Sequence, residues 1–203
     1  MARFGGRVSV DLGTGDGRLP NALARDAPER LFVGVDANAA RLREVSGRAV
    51  RAGLDNVVYV RAAVEALPSE LAGIADRVTI VLPWGSLLLA VALPSIVHLR
   101  GIRALCQPGA TLTVLLGVDP VRDRAEILRL GLPPAHDRDL RSRLPEAYAA
   151  AGFAVTAVGP IGRDQLARWP SSWARRLAHG RPRSVFQVEA QACGPRSSDP
   201  SAA

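Results

Sequence analysis

The chain contains no lysine: all 26 basic residues are arginine, against 19 Asp and Glu, for a formal net charge of +7. A high-GC genome accounts for the choice of Arg over Lys, but not for the net excess, which suits a polyanionic partner. Cysteine is nearly absent too. Cys106 and Cys193 are too few and too far apart for a disulfide framework or a metal site, and a reducing cytoplasm is the expected setting. No apolar run approaches the roughly 18 residues of a membrane span. The longest, Val78 to Leu93, is broken by Pro83, Trp84 and Gly85, and the N-terminus MARFGGRVSVDLG has no signal-peptide core. What remains is 203 residues, 48% of them hydrophobic, enough for one well-buried domain. That domain is expected over residues 1–192, with 193–203 a disordered tail.

Strand and helix patterns alternate along most of the chain, which predicts a parallel α/β sheet. The expected strands are Arg7–Leu12, Leu31–Asp36, Val57–Arg61, Arg77–Leu82 and Thr111–Gly117. Helices are expected at Leu19–Asp26, Ala39–Ala52 and Ser95–Cys106, the last ending at Pro108-Gly109, and at Pro145–Ala151. The Arg-, Asp- and Pro-rich stretch 119–144 reads as a connector or lid, with weak helical periodicity at Arg124–Leu130. Phe153–Val158 and Ser184–Gln191 read as an antiparallel pair at the sheet edge. Between them, Gly159–Arg183 holds two Trp and six Arg.

Asp11-Leu12-Gly13-Thr14-Gly15-Asp16-Gly17 joins the first strand to the first helix. A glycine-rich turn there lets backbone N–H groups approach an adenosyl or pyrophosphate group closely. The dinucleotide fingerprint needs G-x-G-x-x-G, whereas here position 18 is Arg. Asp11 would repel a pyrophosphate but favours a cationic sulfonium and ammonium. The pattern D-x-G-x-G-x-G resembles motif I of class I S-adenosylmethionine-dependent methyltransferases. Asp36, followed by Ala37, ends the second strand about 20 residues after the loop, where a carboxylate can accept both ribose hydroxyls. After the third strand, Ala63 and Glu65 stand where that class places the adenine, and Leu105 to Ala110 is similar to its L-x-PGG turn.

The fourth strand ends in Leu82-Pro83-Trp84-Gly85-Ser86-Leu87-Leu88, which lacks the [DNS]-P-P-[YF] acceptor of exocyclic-amine methyltransferases and offers an indole instead. Near the C-terminus stands Ser171-Ser172-Trp173-Ala174-Arg175-Arg176-Leu177, then Arg181 and Arg183. An aromatic beside spaced arginines suits a flipped nucleotide, a π-face for the base and cations for its phosphate. Read plainly, it is equally an amphipathic helix with a buried Trp and a solvated Arg face.

Together PWGSLL and S-x-W-x-R-R-L, with DLGTGDG, the VDA after strand two and A-x-x-E-x-LP at Ala62–Pro68, resemble the aminoglycoside-resistance methyltransferases that modify N1 of adenine 1408 in 16S rRNA. The resemblance runs from about Val8 to about Val188. It implies a Rossmann-like class I domain: α/β, seven-stranded and mostly parallel, with an antiparallel C-terminal edge. It implies S-adenosyl-L-methionine as cofactor, held by Asp11, Gly13, Thr14, Gly15, Gly17, Asp36, Ala37, Ala63, Glu65 and Leu82. Trp84 and Trp173 would sandwich the adenine, and Ser171 would position the Trp loop. Arg176, Arg181 and Arg183 would hold phosphates, as would Arg48 and Arg51 in what looks like a shortened basic loop. The implied partner is 16S rRNA within the 30S ribosomal subunit, met by a cytoplasmic monomer with no metal and no membrane.

Adenine N1 carries a lone pair and no proton, so its attack on a sulfonium methyl needs no general base, and His98, His136 and His179 are not nominated. Positioning carries the reaction. The N-terminal β-hairpin of that family, which contributes to ribosome docking, has only about seven residues here to correspond to it. That departure bears on RNA affinity more than on cofactor binding. The rival readings are a tRNA guanine-N7 methyltransferase, a non-catalytic ribosome-binding protein and, more remotely, a nicotinamide oxidoreductase. The last has the wrong loop spacing and, without lysine, no Tyr-Lys pair.

Overall fold

The computed structural model describes residues 4–93, 95–119, 121–132, 137–180 and 183–194, with only the backbone of 137–141. Seven strands form one sheet: β1 (Val8–Leu12), β2 (Leu31–Asp36), β3 (Val57–Arg61), β4 (Ala75–Val81), β5 (Cys106–Leu116), β6 (Phe153–Pro160) and β7 (Phe186–Ala192). Their order is β3-β2-β1-β4-β5-β7-β6. The first five are parallel, and β7 runs antiparallel to both β5 and β6. All five residues of β1 are buried, as expected of a central parallel strand covered on both faces. The strand order reverses between β1 and β4, and in open parallel sheets the crevice at such a point is where ligands bind.

Helices α1 (Arg18–Asp26) and α2 (Ala39–Arg51) pack against β2 and β3. Asn38 starts α2 by accepting the N–H groups of Ala40 and Arg41, both at 3.1 Å. Helices α3 (Gly85–Ala92), α4 (Ile96–Leu105) and α6 (Asp137–Ala150) cover the other face. There Leu88, Leu99, Ile102, Leu144 and Tyr148 close on Val78, Ile80, Leu112 and Val114. Each large aliphatic side chain buried this way contributes about 1.5–3 kcal/mol. A smaller cluster of Leu115, Leu166, Ala174, Ala178 and Val185 fastens α7 (Arg163–Ala167) and α8 (Ser172–His179) to the sheet. α5 (Arg124–Leu130) stands in the connector after β5.

Several boundaries depart from the sequence expectation. α3 was not expected, because GSLLLAVA is apolar all round and so shows no helical stripe. α6 begins at Asp137, not Pro145, and carries that proline in its interior. No turn separates α4 from β5: the strand starts at Cys106, and an irregularity between Ala75 and Arg77 of β4 absorbs Gln107–Ala110. β4 starts two residues earlier than expected. Residues 195–203, most of the expected tail, lie outside the described residues.

No single helix among the described residues is long and apolar enough to cross a membrane.

Candidate cofactor and base-stacking cleft

At the carboxyl ends of β1, β2 and β4 opens a cleft of about 580 Å³. That is within the roughly 300–1,000 Å³ of small-molecule pockets. Gly13, Thr14 and Gly15 form one wall, Asp36, Ala37 and Ala63 the next, and Leu82 and Trp84 the third. Ser171, Ser172 and Trp173 close it from the far end of the chain.

The glycine loop is fixed by its own backbone. The N–H groups of Gly13 and Thr14 both donate to the Val35 carbonyl, at 2.8 and 3.0 Å, and Gly15 N–H donates to Asp36 Oδ2 at 2.9 Å. Gly17 N–H donates to Thr14 O. These donors are therefore spent inside the protein and form no nest for a pyrophosphate. This corrects the expectation that they approach the ligand directly, and it disfavours a dinucleotide further. Gly17 has φ +63° and starts α1, and a Cβ there would sit 2.8 Å from the Tyr59 hydroxyl and 2.9 Å from Val45 Cβ. A Cβ on Gly34 would strike the Tyr59 ring at 2.6 Å. The turn is thus held against β3 by an approach only glycine allows.

The cleft is acidic where a cation would lie. Asp36 uses one oxygen on Gly15 and the other on Asn38 N–H at 2.8 Å. A carboxylate keeps further lone pairs for two hydroxyls. Asp11 is not on the wall but buried beneath the loop, 7% exposed. Burial lifts its carboxyl to about 7, Asp36 and Asp16 push it the same way, and the Thr14 hydroxyl opposes them. Its negative charge is costly without a cation nearby. Spent loop donors, the acidic surroundings and the free Asp36 lone pairs together fit a cationic adenosyl cofactor.

Leu82 has φ +52°, a left-handed conformation that a branched residue adopts at a cost, and more so before proline. It is held by its N–H to Leu115 O at 2.9 Å and by a side chain nested where a Gly117 Cβ would lie, 2.6 Å away. This kink carries Pro83 and Trp84 into the cleft rather than onward along β4. Trp84 is 54% exposed and Trp173 57%, so neither indole is core. Ser171 caps α8 by accepting Ala174 N–H, and Arg176 lies over the Trp173 ring at 5.4 Å. α8 keeps Trp173 outward because Ala174 and Ala178 take the inward stripe.

Of the remaining sequence candidates that the structure describes, only Arg48 lines the cleft. Glu65 is exposed beside Ser86, whose hydroxyl holds its carboxyl below the usual range, and does not line the cleft. Arg183 turns inward, pairing with Asp123 at 3.0 Å and donating to Gly117 O at 3.0 Å. It clamps the connector after β5 instead of facing solvent. Arg48 lines the cleft but is bound to Glu44 at 2.7 Å and to the Asp16 carbonyl at 2.6 Å. Arg51 is exposed outside the cleft, and Arg181 lies outside the described residues. Sequence reasoning missed Asp16 as a junction. Its carboxylate accepts the Ser172 hydroxyl, joining the glycine loop to the Trp173 helix across 156 residues. No local pattern could have announced it.

The comparisons with known proteins follow the same lines. The family model described as 16S rRNA (adenine(1408)-N(1))-methyltransferase matches residues 2–192. A 16S rRNA (adenine(1408)-N(1))-methyltransferase of Escherichia coli is 36% identical over 193 residues, covering 90% of this chain and 85% of the relative. The crystal structure of the aminoglycoside resistance methyltransferase NpmB1 superposes with a TM-score of 0.77 at 41% identity, covering 94% of this chain and 90% of the other. A variant 16S rRNA (adenine(1408)-N(1))-methyltransferase from Catenulisporales acidiphilia, solved with cosubstrate SAM, gives a TM-score of 0.83 at 36% identity, covering 95% and 88%.

Proposed function

Since the chain belongs to the 16S rRNA (adenine(1408)-N(1))-methyltransferase family, we propose that it transfers a methyl group from S-adenosyl-L-methionine to N1 of adenine 1408 in the 30S subunit. The outcome is aminoglycoside resistance, because a methylated, charged adenine edge repels cationic drugs and loses a hydrogen-bond acceptor. The observation that carries this reading is one cleft lined by two exposed indoles, a glycine loop and the Asp36 carboxylate.

When bound, the cofactor supplies an electrophilic methyl on a positively charged sulfur. Asp36 would accept the ribose hydroxyls, Ala37 and Ala63 would flank the adenine, and Gly13 and Gly15 leave room along the loop. Asp11, from beneath, favours the positive charge. Trp84 and Trp173 would stack on both faces of the extruded base, each worth about 1–3 kcal/mol. Arg176 would hold a phosphate beside Trp173, its stacked position keeping it at the rim. With the base clamped, the N1 lone pair would meet the methyl in line, the methyl–sulfur bond would break as the N1–methyl bond forms, and the adenine would keep the positive charge with its N6 amine intact. No side chain is asked to act as a base, and orientation supplies the rate. A ribosomal substrate places the protein at work in the cytoplasm.

The test is incubation of the purified protein with radiolabelled S-adenosylmethionine and isolated 30S subunits, then reverse transcription across the decoding site. A stop one nucleotide 3′ of adenine 1408 is expected. Label on tRNA but none on 30S would instead favour the tRNA reading, and 30S binding without cofactor affinity the non-catalytic one.

A further inference from the structure

The sheet carries a second cleft, of about 480 Å³, on the face turned away from the α3–α4–α6 core. Its floor is polar. Arg77 and Thr79 of β4 stand in register with Thr111 and Thr113 of β5, and Thr113 with Glu189 of β7. Central strands of a parallel sheet are normally sealed by apolar side chains on both faces. Here threonine, arginine and glutamate line the floor, while Leu19 and Leu23 of α1 and Pro170 add apolar sides. Arg168 and Trp169, from the segment between α7 and α8, form a wall.

The charges on this floor are unequal. Glu189 is already engaged, accepting the Thr113 hydroxyl at 2.9 Å and the Gln187 amide. The Arg77 and Arg168 guanidinium groups have no side-chain partner among the described residues, and both side chains are exposed. Two cations with no side-chain partner among the described residues, the Thr79 and Thr111 hydroxyls and a half-buried indole are what a nucleotide needs: charge for the phosphate, a π-face for the base and polar groups for its edges. This second cleft also adjoins the first. Arg168–Pro170 line one and Ser171–Trp173 line the other, so Trp169 and Trp173 are at most about 14 Å apart along the chain.

The geometry points to this cleft as a second RNA site, which takes a single-stranded nucleotide of the same strand that delivers the target base. Its phosphate lies between Arg77 and Arg168 and its base against Trp169. The assignment rests on the RNA-methylation reading for the identity of the strand.

The experiment measures affinity for 30S subunits and, separately, for a fluorescein-labelled ten-nucleotide single-stranded RNA, at several salt concentrations. The double variant Arg77→Ala/Arg168→Ala should bind both about tenfold more weakly. Its log affinity should fall less steeply with log salt, the slope shrinking by about 1 because one phosphate is no longer neutralised, with cofactor affinity by calorimetry unchanged. A charge-matched control, Arg25→Ala/Arg43→Ala, should stay within about twofold of wild type. Trp169→Leu should weaken binding several-fold and Trp169→Phe should restore most of it, which separates stacking from misfolding. If the double variant binds both RNAs like the control, the second site is wrong even if adenine 1408 is methylated. If the double variant loses RNA binding while wild type methylates nothing on 30S, the site stands and the methylation reading falls.

Discussion

The two halves of the main cleft are built on opposite principles. The cofactor half is one continuous stretch, Asp11–Gly17, with Asp36 a strand away, and its backbone donors are spent on Val35, Thr14 and Asp36. The half proposed to stack the base draws Trp84 and Trp173 from segments 89 residues apart in sequence and leaves both indoles more than half exposed. One half is rigid and preformed, the other is a pair of unsatisfied apolar plates. The difference follows the ligands. A cofactor bound in every turnover favours a rigid cradle, whereas a base that must be extracted from folded RNA needs open faces whose burial drives its capture.

Breaking the cradle should have the largest effect. Gly17→Ala imposes a left-handed conformation on an L-residue and drives a Cβ to within 3 Å of Tyr59 and Val45. Overpacking of this kind costs about 1–3 kcal/mol, with the conformational penalty of about 1 kcal/mol in addition. A thermal melt should show a drop of many degrees, and calorimetry a loss of cofactor binding.

Breaking the plates should spare the cradle. Trp84→Ala and Trp173→Ala should each reduce methylation of 30S about ten- to a hundredfold, the equivalent of about 1–3 kcal/mol of stacking. Cofactor affinity should stay within about threefold and the melting temperature within a few degrees, since neither indole is core. If either variant methylates at the wild-type rate, the base sandwich is wrong.

A third measurement sharpens the comparison through Asp11. Its carboxyl is raised from 3.8 to about 7, so the folded protein holds a proton that the unfolded chain has released. Cofactor-free stability should therefore fall as pH rises from about 4 to about 7 and level off above. Asp11→Asn should remove that decline, making the cofactor-free protein more stable than wild type at about pH 8 while weakening its hold on the cationic cofactor. A melting temperature for the variant that declines with pH as steeply as wild type would sink the assignment.

Much of the frame was legible in advance. Leu31–Asp36 and Val57–Arg61 match their expected bounds because alternating β-branched residues between turn signals have few other uses. α3 was not legible, because a helix apolar on nearly every side carries no periodic stripe. Pro145 suggests a helix start, the usual place for proline, but α6 carries it inside. Among the basic candidates, Arg176 lies over the exposed Trp173 ring while Arg183 turns inward to Asp123, though both stand in the same arginine-rich stretch.

Local pattern was enough for the parallel part of the sheet, the place of the glycine loop and the aromatic and acidic residues that line the cleft, because periodicity and turn residues are local properties. Tertiary structure alone decided that the loop's N–H groups are spent within the protein and that Asp11 lies beneath the wall. It also decided that Asp16 reaches Ser172 and that Arg183 pairs inward with Asp123. Those are properties of which side chains meet across the sheet, and pairings between distant residues leave no mark in the local pattern.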